Sequence, residues 1–566
     1  MKTRRPVPQT IMATVIPRHP AARSRLGRSC GRRLVAVVVT LSAVAGLAAA
    51  THDVRQFGAR GDRITADTAA IQAAIDACRA EGGGTVLVPA GDYLTGMLRL
   101  GSQVTLRLEN GAVLRASRRQ EDYGPSGHGS SANFGSGETT LAPDYRYLLV
   151  ADGAEHITIE GDGVILGTGE EDLRRRAGSE LQPFPPFRIG ILLFRNCADV
   201  ALRDFTVRNS DFWTLHFWRC DRLRVRGLSI LNNYYHTNSD GIDPVSCRDV
   251  LISDCHIVAG DDCICLKADP GRACEQVVVS NCTLESVAAA IKLGTGSHAD
   301  FRDILVTNCT IRNSVVGVGV FIKDGGTVER VEFSHLSITT VDDPTQLNAH
   351  SQGAICPLYI DVEQRTAQSA VGAVRGMAFR DIFIRSDRGL LFQGMPESPL
   401  RDITLQNVVF AVDRDSDYAG RHKPTGGQSN PADGRITRFI RQPTYGALAH
   451  IDGLRVDNVQ VRVADEIFAV HPRSAVAVFE SRDVRLEDVG RRPAGVAAGE
   501  PVVTLENCRD AMVTGCVAPP GTPVFLGVRG GRSAGIILAP DGLAGSQTPF
   551  SLTADVPADA VREARH

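Results

Sequence analysis

One apolar position of this chain recurs at a fixed interval, and that interval restricts the fold more than any other feature of the sequence. Each copy begins a short apolar stretch after one or two polar residues, as in Arg248-Asp249-Val250-Leu251-Ile252. The copies are Val200, Leu223, Val250, Val277, Ile304 and Val331, at steps of 23, 27, 27, 27 and 27 residues, with later copies at Met377, Ile403, Leu454 and Val484. Short strands at a period in the twenties, with no helical periodicity between them, are typical of a β-solenoid.

We therefore predict an all-β fold, a single-stranded parallel β-helix whose coils run from about residue 100 to 530 and stack about 4.8 Å apart. Leucine-rich repeats have a similar period, but their leucine and asparagine signature is absent. Apolar residues at helical spacing between Asp67 and Cys78 predict an amphipathic helix that caps the N-terminal end of the solenoid. Aromatic residues are only 5% of the chain and glycines number 56, which favours a turn-rich β architecture.

The N-terminus predicts export. An arginine-rich region precedes the apolar stretch 34–47, and Ala48-Ala49-Ala50 follows as a small-residue cleavage signal. Arg32-Arg33 leaves a twin-arginine route open, whereas the apolar stretch is short for a membrane anchor. We predict a signal peptide over 1–50, a β-helix domain over 51–545, a C-terminal tail over 546–566, and a periplasmic or extracellular location.

The same period explains several of the 14 cysteines. Cys255, Cys282 and Cys309 each lie five residues after the repeated apolar position, so we expect stacked free thiols inside the solenoid. Asn281 and Asn308 directly precede two of them and predict a ladder of side-chain amides. Because exported proteins often carry disulfides, bonds between Cys508 and Cys516, or between Cys265 and Cys274, stay open at this stage.

Longer gaps interrupt the repeat in four places. In a solenoid, insertions become loops on one face, which is often the binding face. The gaps lie between Leu114 and Ile157, Val164 and Val200, Val331 and Met377, and Phe410 and Leu454.

Four aspartates form the strongest candidate site. Asp240 and Asp243 precede Asp261 and Asp262 by about one coil, so the period should bring them together on neighbouring coils. Carboxylates this close repel one another, and at least one should have a raised pKa and keep its proton. A protonated carboxyl beside an ionised one is what acid/base cleavage of a glycosidic bond requires. The alternative is a pair of solvated turns, in which Asp and Gly are common.

Lysine is rare here, and three of the chain's five lysines follow the aspartates. Lys267, Lys292 and Lys323 lie on consecutive coils. A cationic groove beside an acid/base pair would suit a substrate that carries carboxylates. The alternative is a set of ion pairs that only neutralise the aspartates. The formal net charge of −2 gives no indication of a nucleic-acid partner.

The motifs Asn238-Ser239-Asp240-Gly241-Ile242-Asp243 and Gly260-Asp261-Asp262 resemble the paired signatures of the polygalacturonase-like glycoside hydrolases of family 28. Further similar stretches are Phe57-Gly58-Ala59, Trp213-Thr214-Leu215-His216 and Pro357-Leu358-Tyr359-Ile360-Asp361-Val362. The resemblance implies a right-handed β-helix and hydrolysis with inversion. It implies that Asp261 is the acid and that Asp240 and Asp262 prepare the water. We assign substrate binding to Asn238, His216, Lys267, Lys292 and Lys323.

Two departures from the family pattern bear on the substrate. Ala288-Ala289-Ala290 stands where the family's polygalacturonases carry Gly-His-Gly, and Phe321-Ile322-Lys323 replaces their Arg-Ile-Lys. The resemblance therefore favours rhamnogalacturonan fragments or decorated pectic oligomers, including cleavage from an end, over internal cleavage of plain polygalacturonan. One conflict remains at this stage, because a coil spacing near 4.8 Å would place two carboxylates at the separation of a retaining enzyme.

Two rival functions stay open. A β-helical pectic lyase would use the aspartates to hold Ca²⁺ and a basic residue to abstract a proton, and a carbohydrate-binding solenoid would bind pectic oligomers without cleaving them. The paired aspartates with few further calcium-type ligands favour the hydrolase. We predict no metal and no cofactor, a pectic polysaccharide or oligosaccharide as partner, no membrane association after leader cleavage, and a monomer.

Overall fold

The computed structural model describes residues 50–124, 144–170, 187–340, 356–413, 438–439, 441–493 and 500–564. The predicted leader, apart from Ala50, and the greater part of the predicted insertion loops lie outside these residues. Within these ranges, no helix combines the length and apolar character needed to span a bilayer.

The repeated apolar positions stack in one parallel sheet. Val250 pairs with Val277, Val277 with Ile304, and Ile304 with Val331. In the strand Cys274–Ser280, Val277 and Val279 are fully buried, whereas the alternate residues Gln276 and Val278 are exposed. This alternation is expected because successive side chains of a strand point to opposite faces. The fold is a right-handed single-stranded parallel β-helix, as predicted.

The register continues across the long gaps in the repeat. Val331 pairs with Met377, which pairs with Ile403, and the series runs on through Leu454 to Val484. All four later copies predicted from the sequence are confirmed. The insertions between them therefore leave the stacking of the coils unchanged, as loops on a solenoid should.

The described coils form two parallel sheets, of 25 and 15 strands. The larger sheet contains Ala50–Asp53, Asp62–Ala66, Gly84–Val88, Gly91–Thr95, Val104–Leu108, Ala112–Ala116, Glu155–Gly161, Val164–Leu166, Ala198–Arg203, Thr206–Arg208, Asp221–Arg226, Ser229–Leu231, Arg248–Ser253, His256–Ala259, Cys274–Ser280, Thr283–Ser286, Phe301–Ser314, Thr327–Thr340, Ala373–Arg385, Leu400–Val412, Ile451–Val463, Arg482–Arg492, Arg509–Thr514, Ala534–Leu538 and Val561–Glu563. The smaller sheet contains Leu98–Arg99, Asp144–Asp152, Phe187–Arg195, Leu215–Trp218, Ile242–Val245, Ile264–Ala268, Ala289–Ser297, Val316–Ile322, Cys356–Val362, Leu390–Gln393, Gly446–Ala449, Val476–Phe479, Val503–Glu506, Thr522–Arg529 and Ser546–Leu552.

The predicted limits of the coils were too narrow at both ends. Parallel pairing begins with Ala50–Asp53 on Gly84–Val88. At the other end, Ser546–Leu552 pairs with the preceding strand of the smaller sheet, and Val561–Glu563 pairs with the larger sheet. The predicted tail over 546–566 is therefore wrong for its described part, which forms a further coil. Its few apolar residues, such as Val556 and Val561, are too irregularly spaced for the repeat to reveal it.

The predicted cap is a helix over Thr68–Ala80, which buries Ile71, Ala74, Ile75 and Cys78 against the first coil. Asp67 occupies the N-cap position, but its side chain does not cap the helix. Its carboxylate instead accepts hydrogen bonds from the backbone N–H groups of Arg60 and Gly61, at 2.7 and 3.0 Å. The other described helices are Asp465–Val470 and the 3-10 turns Val54–Phe57, Gln120–Asp122 and Leu543–Gly545.

Asparagines form the predicted ladder where the strands turn. Asn308 donates to the side-chain oxygen of Asn281 at 2.8 Å, and Asn281 donates to Asp254 at 3.1 Å. All three residues have φ between 53° and 58°. Asn and Asp adopt this left-handed conformation more readily than other non-glycine residues, so the turn geometry explains why they recur at this position.

The cysteines described are all free and buried. Cys309 shares its register position with Leu336 of the next coil, and Cys255, Cys282 and Cys309 stack inside the solenoid as predicted. A second interior column, which sequence analysis missed, contains Cys197, Cys220, Cys247 and Cys274.

Neither candidate disulfide is present. Cys265 lies in the smaller sheet and Cys274 in the larger one. Cys508 and Cys516 belong to opposite ends of the strand Arg509–Thr514, and their thiols donate to carbonyl groups of Val478 and Thr514 at 3.3 and 3.2 Å. Each thiol therefore fills its own coil interior.

Candidate active site

The aspartates meet because two consecutive coils turn at the same edge of the smaller sheet. Asp240 precedes the strand Ile242–Val245, and Asp261 and Asp262 precede Ile264–Ala268. The backbone N–H of Gly241 donates to the carbonyl of Asp262 at 2.9 Å, which joins the two turns directly. Asp240, Asp261 and Asp262 are all buried. The period therefore placed them on neighbouring coils, as predicted.

Glycine is needed beside the aspartates for space. A Cβ atom on Gly260 would lie 2.0 Å from the carbonyl oxygen of His236 and 2.7 Å from Ser239 Oγ. Its φ is not in the left-handed region, so the requirement for glycine is one of space and not of backbone conformation. Its role is to let the turn of Asp261 and Asp262 approach the preceding coil closely.

Asp262 is held in its ionised form. Lys292 Nζ lies 2.7 Å from one oxygen of this carboxylate, and the backbone N–H of Ala289 donates to the other at 3.1 Å. Burial favours the neutral form, but the charges of Lys292 and Lys267 outweigh burial and hold the pKa of Asp262 below its ordinary value. Ala289 lies within the stretch that replaces the family's Gly-His-Gly, and here the backbone makes the contact.

Asp240 has the opposite tendency. Burial, together with the like charges of Asp243 and Asp261, raises its pKa well above the ordinary value. Its Oδ1 atom is buried and has no hydrogen-bond partner among the residues that the structure describes. Burial also raises the pKa of Asp243 to about 6. The predicted raised pKa is therefore found in Asp240 and Asp243.

Lys267 is not a surface lysine. It is 2% exposed, and its Nζ lies 2.7 Å from Asp243, 2.7 Å from Cys265 Sγ and 3.9 Å from Asp240. The ring of Trp213 covers it, with Nζ 4.4 Å from the ring centroid. The ammonium of Lys267 therefore neutralises buried carboxylates, and its assignment to substrate binding stays a prediction.

Lys323, whose assignment to substrate binding also stays a prediction, lies in a similar environment. It is fully buried and forms ion pairs with Glu363 at 2.9 Å and Asp361 at 3.4 Å. These partners come from the coil that follows an insertion, so the sequence interval did not indicate them. Of the three lysines, Lys292 alone keeps appreciable exposure, with 19% of its side chain accessible. The predicted cationic groove is therefore reduced to one partly exposed lysine.

His216 is also buried beneath the site. Its Nδ1 lies 3.0 Å from the hydroxyl of Tyr147, and its ring packs edge-on against Trp213 with the centroids 4.8 Å apart. Burial and the charge of Lys267 lower its pKa to about 3, so it is neutral. In this position it lies beside Asp243, its register partner, and its assignment to substrate binding stays a prediction.

Asn238 approaches the general-acid candidate. Its side-chain nitrogen lies 3.3 Å from Asp261 Oδ2. Sequence analysis missed three residues on its other side, Arg188, Asp211 and His236, which are buried together. The available signal was Arg188, a single arginine within the otherwise apolar stretch Phe187-Arg188-Ile189-Gly190-Ile191-Leu192-Leu193-Phe194.

Asp240, Asp262 and Cys265 have ligand atoms within 4.8 Å of one another, which is a metal-like grouping. The two lysines already provide positive charge at this grouping. Lys267 Nζ lies 2.7 Å from Cys265 Sγ, and Lys292 Nζ lies 2.7 Å from Asp262. We assign no metal to it, and the absence of a metal requirement stays a prediction.

Comparison with known proteins assigns this chain to a family. The family model of the glycosyl hydrolases of family 28 matches residues 78–410, more than half of the chain. The chain belongs to this family.

Individual relatives are similar over part of their length. A probable polygalacturonase of Vitis vinifera is 34% identical over 221 residues, which is 38% of this chain and 43% of that protein. The exo-poly-alpha-D-galacturonosidase of Dickeya chrysanthemi is 26% identical over 259 residues, 39% of this chain and 42% of that protein. The chain thus spans less than half the length of these relatives. The exopolygalacturonase of Thermotoga maritima has the same fold, with a TM-score of 0.53 at 20% identity over 64% of this chain and 87% of that one.

Proposed function

We propose that the protein hydrolyses α-linked glycosidic bonds in galacturonate-containing pectic polysaccharides or oligosaccharides, with inversion at the anomeric carbon. The observation that carries this proposal is the joining of Asp240, Asp261 and Asp262 at one edge of two adjacent coils, with Asp262 ion-paired to Lys292. Membership of a hydrolase family supports it. Neither the family match nor the polygalacturonase relatives support the lyase alternative.

The two water-activating residues differ in protonation. Asp262 is ionised and can accept a proton from water, whereas Asp240, with its raised pKa and unpartnered Oδ1, holds a proton that it can donate to the same water. Asp240 can thus orient the water by donating a hydrogen bond to it, while Asp262 removes a proton from the same water. Asp261, on the same turn as Asp262, protonates the departing sugar oxygen.

This division of roles removes the conflict over stereochemistry. The oxygens of Asp240 and Asp262 lie within 4.8 Å, but both residues act on the water. The separation that distinguishes inverting from retaining enzymes is the one between the acid and the base or nucleophile. A short distance between Asp240 and Asp262 is therefore compatible with inversion.

The class of substrate can be inferred from which lysine side chains are able to contact a carboxylate of the sugar. Because Lys267 and Lys323 are enclosed by carboxylates, Lys292 is the lysine placed to meet a uronate. Phe321, in place of the family's arginine, offers an aromatic ring 5.5 Å from Lys292 Nζ. One cation beside an aromatic ring suits a substrate that alternates charged and less polar sugars, so we propose rhamnogalacturonan fragments or decorated oligomers, cut from an end. The protein would act as a monomer after export to the periplasm or the cell exterior.

A substrate panel tests this proposal. We expect purified protein to release new reducing ends from rhamnogalacturonan fragments and decorated galacturonate oligomers faster than from polygalacturonan, and not from a neutral oligosaccharide. EDTA should have no effect. An ultraviolet-absorbing unsaturated product with EDTA sensitivity would instead identify a lyase, and binding without cleavage would identify a carbohydrate-binding solenoid.

A further inference from the structure

Arg188 lies in an unusual environment for a charged residue. It follows the first residue of the strand Phe187–Arg195, and its side chain has no exposed surface. Its guanidinium donates to the backbone carbonyls of Asp211 and Thr237 and lies 3.4 Å from the Asp211 carboxylate. A buried arginine is costly unless its donors are satisfied, and here they are used to hold the turn that precedes Asp240.

One further donor of Arg188 fixes a side chain. Its Nη1 donates to Asn238 Oδ1 at 3.0 Å. Because a guanidinium has only donors, the atom facing it must be the oxygen of the Asn238 amide. The amide nitrogen consequently faces Asp261, where it donates to Oδ2 at 3.3 Å.

The Asp211 carboxylate provides the negative charge that balances Arg188. His236 Nε2 lies 2.7 Å from Asp211 Oδ1, and the N–H of Ile189 donates to Oδ2 at 3.2 Å. Burial favours the neutral form of Asp211, but His236 and Arg188 outweigh burial and hold its pKa below the ordinary value. The negative charge that balances Arg188 is therefore fixed on the side away from Asn238.

We infer that Arg188 and Asn238 are positioning residues for the general acid, and that they fix the orientation of the Asp261 carboxyl. Arg188 fixes the Asn238 amide, and the amide nitrogen holds the carboxyl through a hydrogen bond to Oδ2. Asn238 thus acts on the acid, in place of the substrate-binding role that sequence analysis gave it. This inference rests on the proposed hydrolase function.

The test is the substitution Asn238→Gly, measured on a natural linkage and on an aryl glycoside with a good leaving group. Asn238 has φ of 57°, which glycine adopts without strain, so the variant removes the amide and keeps the turn. A misplaced catalytic group can cost about 100-fold in rate. We expect kcat on the natural linkage to fall at least about tenfold, KM to change little, and the aryl glycoside to be cleaved at nearly the wild-type rate.

Asn281→Gly is the matched control. Asn281 has φ of 58° and also donates one side-chain hydrogen bond to an aspartate, but Asp254 lies at the turn of the larger sheet. This variant should keep full activity on both substrates. A parallel pair, Arg188→Lys and Arg491→Lys, compares two buried arginines that donate to backbone carbonyls. The activity of Arg188→Lys alone should show the leaving-group dependence.

Each other outcome overturns the inference. Equal loss of kcat on both substrates for Asn238→Gly would mean that the amide only stabilises the turn. A raised KM with unchanged kcat would return Asn238 to substrate binding. Wild-type protein that hydrolyses nothing in the substrate panel would remove the proposed function, and this inference with it, whereas an active wild type with an unaffected Asn238→Gly variant would remove this inference alone.

Discussion

The variant Asp261→Asn should lose activity on natural pectic linkages by at least about 100-fold, because general acid catalysis typically contributes 10²–10⁴-fold. The amide keeps the shape of the carboxyl and its contact with Asn238, but it has no acidic proton to give to the departing sugar oxygen. A leaving group that departs as a stable anion needs little protonation. On an aryl glycoside of this kind, the same variant should recover a large part of the lost rate.

Folding must be established before these rates are compared. The thermal unfolding curve and the far-ultraviolet circular dichroism spectrum of Asp261→Asn should match those of the wild type, because the new side chain has the same size. A loss of the same factor on both substrates would contradict the assignment of Asp261 as the acid. Full activity on the natural linkage would end the hydrolase proposal at this site.

The second large effect distinguishes the two residues that prepare the water. Asp262→Asn should abolish measurable hydrolysis of both substrates, since it removes the ionised base that Lys292 holds in place. The loss of hydrolysis rate in Asp240→Asn should be smaller than the loss in Asp262→Asn by a factor of at least about ten. The reason is that an amide N–H can donate to the water much as the protonated carboxyl does. Neither variant should be rescued by a good leaving group.

The order of these two losses is the decisive outcome. If Asp240→Asn were as damaging as Asp262→Asn, or more so, Asp240 would be the base and the protonation states given above would be reversed. Rates measured with Lys292→Met provide a control. This variant leaves both aspartates in place but removes the ion pair at 2.7 Å, so it should shift the acidic limb of the pH–rate profile to higher pH by raising the pKa of Asp262.

The coils could be predicted from the sequence because their stacking follows from the regular interval between the repeated apolar positions. Val250, Val277 and Ile304 carry the interval, and their pairing follows from it. The adjacency of Asp240 and Asp262 is a consequence of the same interval. A solenoid thus converts a one-dimensional pattern into contacts between neighbouring coils.

The interval could not predict how deeply a side chain is buried or which residue it forms an ion pair with. Lys267 and Lys323 lie on the expected coils, but the interval does not say that Asp243 and Glu363 enclose their ammonium groups. Glu363 lies beyond an insertion, where the sequence interval no longer equals one coil. For Lys267, the ion pair with Asp243 favours the alternative in which ion pairs neutralise the aspartates, and Lys323 likewise pairs with buried carboxylates.

Residues that act from the interior were hardest to predict. Arg188 is 50 residues from Asn238 along the chain and 23 from Asp211, and it lies in a strand that otherwise indicates a core. Buried arginine is uncommon unless paired, so an isolated arginine within an apolar strand is a usable signal. Its partners, however, become evident only once the coils are placed.

The configuration of the first product tests the central claim most directly. Wild-type protein is mixed with an α-linked rhamnogalacturonan or decorated galacturonate oligosaccharide, and the anomeric protons are followed by ¹H NMR before mutarotation. Hydrolysis through a water held by Asp240 and Asp262, with Asp261 as the acid, predicts that the β anomer appears first. The α anomer appearing first, or an unsaturated sugar in place of a new reducing end, would contradict this mechanism.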